Sequence, residues 1–228
     1  MENIMITGSE KIKKNVKERL QWDSRVDGAE IIIMVSNGEV ILSGVVPTYS
    51  AFQAAQMDAS VVPGVDKVTN NISVRCRKEI TDKELETRIN NMFQWSADID
   101  SSMIKISAQD GRVKLQGPVK SYWEKVKVQE VVSNAECVTE IENDLFVTPR
   151  VQFEDKVISD NIIHALDKNI YIDPYVVKVY VKVESGKVTL SGNVPTWAAR
   201  DAILNIAFYT PGVSDVEDNL NIGFSYKL

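Results

Sequence analysis

Histidine is almost missing from this chain: His164 is the single one in 228 residues. An imidazole-based metal centre therefore has no ligand set, and a Ser-His-Asp triad would hang on one residue. Cysteine is scarce as well. Cys76 and Cys137 are the two present, and they form no C-x-x-C pair. G-x-S-x-G, H-E-x-x-H and the phosphate-loop pattern G-x-x-x-x-G-K-[ST] are absent. No catalytic residue, cofactor or metal is expected. No apolar run reaches the ~18 to 20 residues of a membrane-spanning helix. The stretch from Met1 to Arg19 carries charge from Glu10 onward and lacks the apolar core of a signal peptide. As it stands, the chain is expected in the cytoplasm, or in the periplasm if a signal has been removed.

A surplus of positive charge is also lacking. The chain carries 26 basic and 32 acidic side chains, a net charge of −6. Residues 1–78 hold ten basic and nine acidic groups, residues 79–150 nine and thirteen, and residues 151–228 seven and ten. An acidic chain without basic or aromatic tracts is a poor nucleic-acid binder. No such partner is expected.

What is present is one phrase used three times. Val183 to Pro195 reads V-E-S-G-K-V-T-L-S-G-N-V-P, Val35 to Pro47 reads V-S-N-G-E-V-I-L-S-G-V-V-P, and Ser107 to Lys120 reads S-A-Q-D-G-R-V-K-L-Q-G-P-V-K. Apolar and polar residues alternate on both sides of a glycine, the mark of a hairpin. The turn glycines Gly38, Gly111 and Gly186 stand 73 and 75 residues apart, and Gly44, Gly117 and Gly192 follow each by six. Turn geometry and close packing, rather than ligand contact, explain glycines inside a hairpin. An internal triplication follows.

The flanks keep phase with the hairpins. Before them, Ile12, Val16 and Leu20, then Leu85, Ile89 and Phe93, then Ile158, Ile162 and Leu166 step by four along a helix face. Thr81 with Glu84 predicts a capping box, as does Thr7 with Glu10. Val26, Ile99 and Ile172 continue the register, and the third repeat inserts two residues near Asp173-Pro174. After each hairpin, Thr48, Ser121 or Thr196 is placed to cap a second helix. Pro63-Gly64-Val65 and Pro211-Gly212-Val213 end that helix with a glycine stop. The middle repeat has Glu136-Cys137-Val138, so its turn must differ or be strained. A last strand closes each repeat. The fold class is α+β: three tandem α-β-β-α-β units, each a three-stranded mixed sheet with two helices on one face. The units are residues 1–78, 79–150 and 151–228, the middle one most divergent. At about 70 residues each they sit near the lower size for an independent core, and their short joins predict units that touch.

This order resembles the BON domain, the bacterial osmotically inducible and nodulation module of OsmY-type proteins. The resemblance rests on n-G-x-V-x-L-x-G-x-V, the alanine-bearing second helix and P-G-V-x-x-V-x-n-x-L-x-V. It implies a non-catalytic binding or scaffold protein tied to osmotic or envelope stress, with phospholipid as partner. The alternative is a protein–protein adaptor, self-associating and without a lipid role.

Two surfaces are candidates for such binding. Lys11, Lys13, Lys14, Lys17 and Arg19 make the first helix basic, suited to an anionic phospholipid surface. Its counterparts are acidic, with Glu79, Asp82, Glu84 and Glu86, then Glu154, Asp155 and Asp160. Tyr49, Tyr122 and Trp197 recur at the start of the second helix and are expected to cap each core. Phe52 and Trp123 are extra aromatics there and candidate interaction residues: they are expected to pack in the core or between units, while an exposed pair would mark contact with another chain or a membrane. Asp98, Asp100 and Asp110 read as a solvated rim, and His164 as a surface residue. Cys76 and Cys137 occupy non-equivalent places, so they are expected to be free thiols.

Overall fold

The hairpin turns set the frame of the computed structural model, which describes residues 8–26, 31–76, 80–149, 151–169 and 177–222. Each turn places two consecutive residues at positive φ: Asn37 and Gly38 at 47° and 78°, Asp110 and Gly111 at 50° and 79°, Ser185 and Gly186 at 52° and 77°. Such a two-residue turn matches the twist of its strands. The glycine carbonyl then accepts a hydrogen bond from a residue just before the last strand. Asp66, Thr139 and Ser214 donate in turn, each at 2.9 Å. In two repeats an aspartate of the first helix also holds the turn. Asp82 accepts from the Asp110 N–H, and Asp155 accepts from the N–H groups of Ser185 and Gly186.

The first repeat runs α1 (Gly8–Trp22), β1 (Ile31–Ser36), β2 (Glu39–Val46), α2 (Tyr49–Ser60) and β3 (Lys67–Val74). The second runs α3 (Asp82–Gln94), β4 (Lys105–Gln109), β5 (Arg112–Val119), α4 (Tyr122–Ser133) and β6 (Glu140–Val147). The third runs α5 (Asp155–Asp167), β7 (Lys178–Glu184), β8 (Lys187–Val194), α6 (Trp197–Tyr209) and β9 (Asp215–Ile222). Each forms a three-stranded sheet with its second hairpin strand in the middle. That strand pairs antiparallel with the first and parallel with the last in repeats one and three. The helical crossover of α2 or α6 makes the parallel pairing possible.

Helix caps fall where the hydroxyls predict. Thr48 accepts from the Ala51 N–H at 3.2 Å, Ser121 from Glu124 at 3.1 Å and Thr196 from Ala199 at 3.1 Å. Thr81 and Glu84 complete a capping box. Thr7, Ile172 and the insertion at Asp173-Pro174 lie outside the described residues.

One face of each end sheet carries the core. In repeat one, Val16 and Leu20 of α1 meet Ile33, Val40 and Leu42 of the sheet and Ala51, Ala55 and Ala59 of α2. Repeat three sets Ile158 and Ile162 against Val188, Leu190, Ala199, Ile203 and Ala207 in the same way. The alanines let the second helix approach the sheet closely. The middle repeat buries the matching residues Leu85, Ile89, Phe93, Val113, Leu115, Val128 and Val132. The opposite face of β1 stays open, with Ile32 and Met34 exposed. By contacts the chain forms two compact units, residues 1–95 with 106–115 and 129–143, and residues 96–105 with 116–128 and 144–228. The middle repeat contributes to both.

One expectation is overturned and one alternative is decided. The cysteines are not free: Cys76, just past β3, and Cys137, in the turn before β6, form a disulfide with Cα atoms 4.5 Å apart. Pairing across repeats needs one cysteine at the end of one unit and one in the next, so the bridge has no reason to recur. The middle turn keeps the conformation of its glycine counterparts. Cys137 has φ +72°, beside +91° for Gly64 and +92° for Gly212. A side chain there costs about 1–2 kcal/mol, so strain rather than a new turn type distinguishes this repeat.

Asp58 breaks the apolar pattern of α2. It is 7% exposed, at a position that Val131 and Ile206 hold in the other repeats. Arg19 donates to it at 3.1 Å. Burial pushes its carboxyl pKa up from 3.8, and the neighbouring Asp23 adds to this, against Arg19 and Arg25. A raised carboxyl pKa means the folded chain holds this proton more tightly than the unfolded chain does. The group's contribution is best in acid and declines as pH rises from about 3.8 through the raised value. Asp58→Val is expected to stabilise the first repeat by about 1 kcal/mol at pH 7, since it removes a desolvated carboxylate and leaves Arg19 half exposed, where water can solvate its charge. Melting curves at pH 7 and pH 4 should show the gain shrinking in acid. A loss of stability at pH 7 would show that the Arg19 pair outweighs desolvation.

Candidate interaction surfaces

The basic face of α1 is built by exclusion. Val16 and Leu20 turn to the core, so Lys11, Lys13, Lys14, Lys17 and Arg19 are left exposed around the rest of the helix. They are not equivalent. Lys14 pairs with Glu18 at 3.7 Å one turn on. Arg19 turns back to Asp58 and belongs to the fold. Lys11, Lys13 and Lys17 stand out from the helix into solvent.

Sequence reasoning missed two residues, one of them on this helix. Trp22 ends α1 and Trp95 caps α3, at the same position 73 residues apart. They are 87% and 88% exposed. The signal was legible: a tryptophan at matching positions, two residues beyond each apolar stripe. Lys168 holds the third position, so the pair does not recur throughout.

The carboxylates near the second hairpin do not converge. Asp98, Asp100 and Asp110 are all exposed. The Lys120 ammonium hydrogen-bonds Asp100 and, with Ser102, holds its carboxyl at about 2. Asp110 spends its N–H on Asp82. His164 is exposed in the last turn of α5. The paired glycines Gly44, Gly117 and Gly192 sit in the middle strands at φ +135°, +129° and +138°. A Cβ on Gly117 or Gly192 would run into the carbonyl oxygen of Met103 or Lys178. These glycines are spent on the backbone.

The aromatic set divides differently from expectation. Tyr49 stacks on Phe52 with ring centres 5.5 Å apart, and Phe52 packs at the edge of the first core. Burial and then the Glu140 carboxylate push the Tyr49 hydroxyl pKa up. Beside it, Thr48 forms a lone antiparallel bridge with Glu136. Tyr122 does not cap its own repeat alone. It packs against the third core, its ring 5.4 Å from that of Phe208. Its hydroxyl accepts from the Val216 N–H, and its pKa rises through burial first and Asp215 second. Trp123 meets Tyr209 at 5.9 Å. Trp197 stays within its own helix, under the Arg200 guanidinium at 5.1 Å. Tyr122 thus reaches into the next repeat, while Tyr49 stays on its own helix and the neighbouring Thr48 makes the bridge to the second repeat.

The three-fold pattern can now be compared with known proteins. The BON domain model matches residues 9–76, 81–149 and 154–223. This chain belongs to the BON domain family. Among curated relatives, the outer membrane lipoprotein DolP of Haemophilus influenzae is 29% identical over 141 residues, 60% of this chain and 72% of DolP. Two solved structures align over long stretches at low similarity. The C-terminal domain of CdsD, a type III secretion structural protein of Chlamydia trachomatis, covers 98% of this BON chain and 100% of its own at 12% identity and a TM-score of 0.26. The periplasmic domain of PrgH from S. typhimurium covers 85% and 94% at 10% identity and a TM-score of 0.23. Scores that low bear on neither fold nor function.

Proposed function

We propose that this BON protein is a non-catalytic binding protein of the bacterial envelope that rests on an anionic phospholipid surface and serves in envelope or osmotic stress. The observation that carries it is the matched pair Trp22 and Trp95, almost fully exposed at the ends of α1 and α3. Tryptophan favours the headgroup boundary, where its ring is sheltered and its N–H stays wet. Lys11, Lys13 and Lys17 stand on the same helix as Trp22 and add attraction to anionic lipid, up to about 1 kcal/mol each. Among the described residues no helix is long and apolar enough to cross a membrane, so contact would be at the surface. Similarity to DolP, an outer membrane lipoprotein, supports an envelope setting. The Cys76–Cys137 disulfide supports an oxidising compartment.

Co-sedimentation with vesicles tests this reading. Binding to vesicles containing phosphatidylglycerol is expected, with little binding to neutral phosphatidylcholine. Trp22→Ala with Trp95→Ala should weaken it at least about tenfold, the loss of roughly one buried apolar side chain. Lys13→Glu with Lys17→Glu should remove its salt sensitivity. Equal absence of binding to both vesicle types would end the lipid reading and leave the protein adaptor.

A further inference from the structure

One inter-repeat contact occurs twice in this chain. The start of the second helix in one repeat meets the end of the second helix and the start of the last strand in the next. Thr48 and Tyr49 meet Glu136 and the charge of Glu140. Tyr122 and Trp123 meet Phe208, Tyr209 and the Val216 N–H beside Asp215. Glu140 and Asp215 are equivalent, 75 residues apart, as Tyr49 and Tyr122 are at 73. Both contacts therefore bring the same parts of neighbouring repeats together, through a backbone bridge in one case and ring contacts in the other.

Among the described residues each half also exists once without the other. Trp197 holds the place of Tyr49 and Tyr122, and among the described residues its aromatic contact is with Arg200 of its own helix. In the first repeat the receiving positions are Ser60, Val61, Pro63 and Lys67, counterparts of Phe208, Tyr209, Pro211 and Asp215. Ser60 and Val61 are half-buried, Pro63 and Lys67 exposed, and none meets an aromatic ring among the described residues. Pro63 matches Pro211, so this surface resembles the receiver of the third repeat rather than the bridge-forming Glu136 of the second.

We infer that these two halves join between copies: Trp197 of one chain docks on the Ser60–Lys67 end of another, in the geometry that Tyr122 uses within the chain. The residue types favour this pairing. Where the internal contacts set a tyrosine near a carboxylate, the terminal one sets an indole near the Lys67 ammonium, which Glu39 also holds at 2.9 Å, a cation–π arrangement beside an ion pair. A contact between different surfaces runs head to tail, so it builds open chains or closes into rings rather than two-fold dimers. With one helix end on one strand start, it is small and transient.

Sedimentation velocity on the oxidised full chain, from about 10 μM to roughly 1 mM, tests it. The sedimentation coefficient should rise with concentration. Trp197→Ala removes one half and Ser60→Glu obstructs the other, so each variant alone should stay monomeric throughout. Mixed one to one, they should form a heterodimer and nothing larger, since Ser60→Glu retains the tryptophan and Trp197→Ala retains the receiver. The mixture also shows that both variants are folded. A parent chain that stays monomeric over this range, self-association that Trp197→Ala leaves intact, or a mixture that does not pair would each overturn the inference.

Discussion

Gly192→Ala is expected to cost about 3–5 kcal/mol and to unfold the third repeat first, from backbone strain and overpacking together. Gly192 has φ +138°, outside the range of ordinary L-residues. It stands opposite Val179 in the β7–β8 ladder, and an added Cβ would collide with the Lys178 carbonyl oxygen. That oxygen belongs to backbone and cannot swing aside. Val188, Leu190 and Val194 of the same strand are all in the core, so the strand cannot shift without losing their burial. Gly8→Ala is the control. It begins α1, has nothing within 4 Å of its would-be Cβ, and should be neutral or slightly stabilising. Denaturant melts with hydrogen exchange on β7–β9 would read the difference. A Gly192→Ala midpoint within the error of the parent would show that the strand has slack that this packing denies.

The second large effect lies at the disulfide. Cys76→Ser should destabilise the oxidised chain by about 4 kcal/mol, the chain-entropy value for a cross-link spanning a sequence separation of 61 residues. Cys137→Ser should cost the same, because either change opens the bridge. Cys137→Gly should be less harmful by about 1 kcal/mol. Cys137 stands at φ +72°, as its glycine counterparts stand at +91° and +92°, and only glycine adopts that conformation without the Cβ penalty. The three variants, compared with the reduced parent in urea, separate the cross-link from the strain. Equal midpoints for all three variants and the oxidised parent would show that the bridge adds no stability. Cys137→Gly ranking below Cys137→Ser would show that the turn is not strained.

Much of the fold was legible because the signals are local. The N-G, D-G and S-G turns declare hairpins, and the fourfold steps of Val16 and Leu20, Ile89 and Phe93, and Ile158 and Ile162 declare one helix face. Thr48, Ser121 and Thr196 mark helix starts by chemistry that acts over three residues. The candidate surfaces were less legible. The lysines of α1 could be listed, but that Arg19 serves Asp58 depends on a residue 39 positions away. Glu124 is a sharper case. A glutamate in a helix's first turn reads as exposed, yet it is 4% exposed and accepts from the N–H groups of Asp100 and Lys120. Its counterparts Ala51 and Ala199 are ordinary core residues.

By itself the sequence determined three repeats, their order of helices and strands, the places of their hairpin turns and their BON character. Each of these rests on periodicity and on backbone preferences that neighbouring residues decide. Only the tertiary structure decided what joins the repeats: the bond between Cys76 and Cys137, the reach of Tyr122 and Trp123 to Phe208 and Tyr209, and the exposure of Trp22 and Trp95. Comparing repeats finds what recurs inside each unit. A contact between units pairs positions that differ from one repeat to the next, and distance in space, not spacing along the chain, selects them.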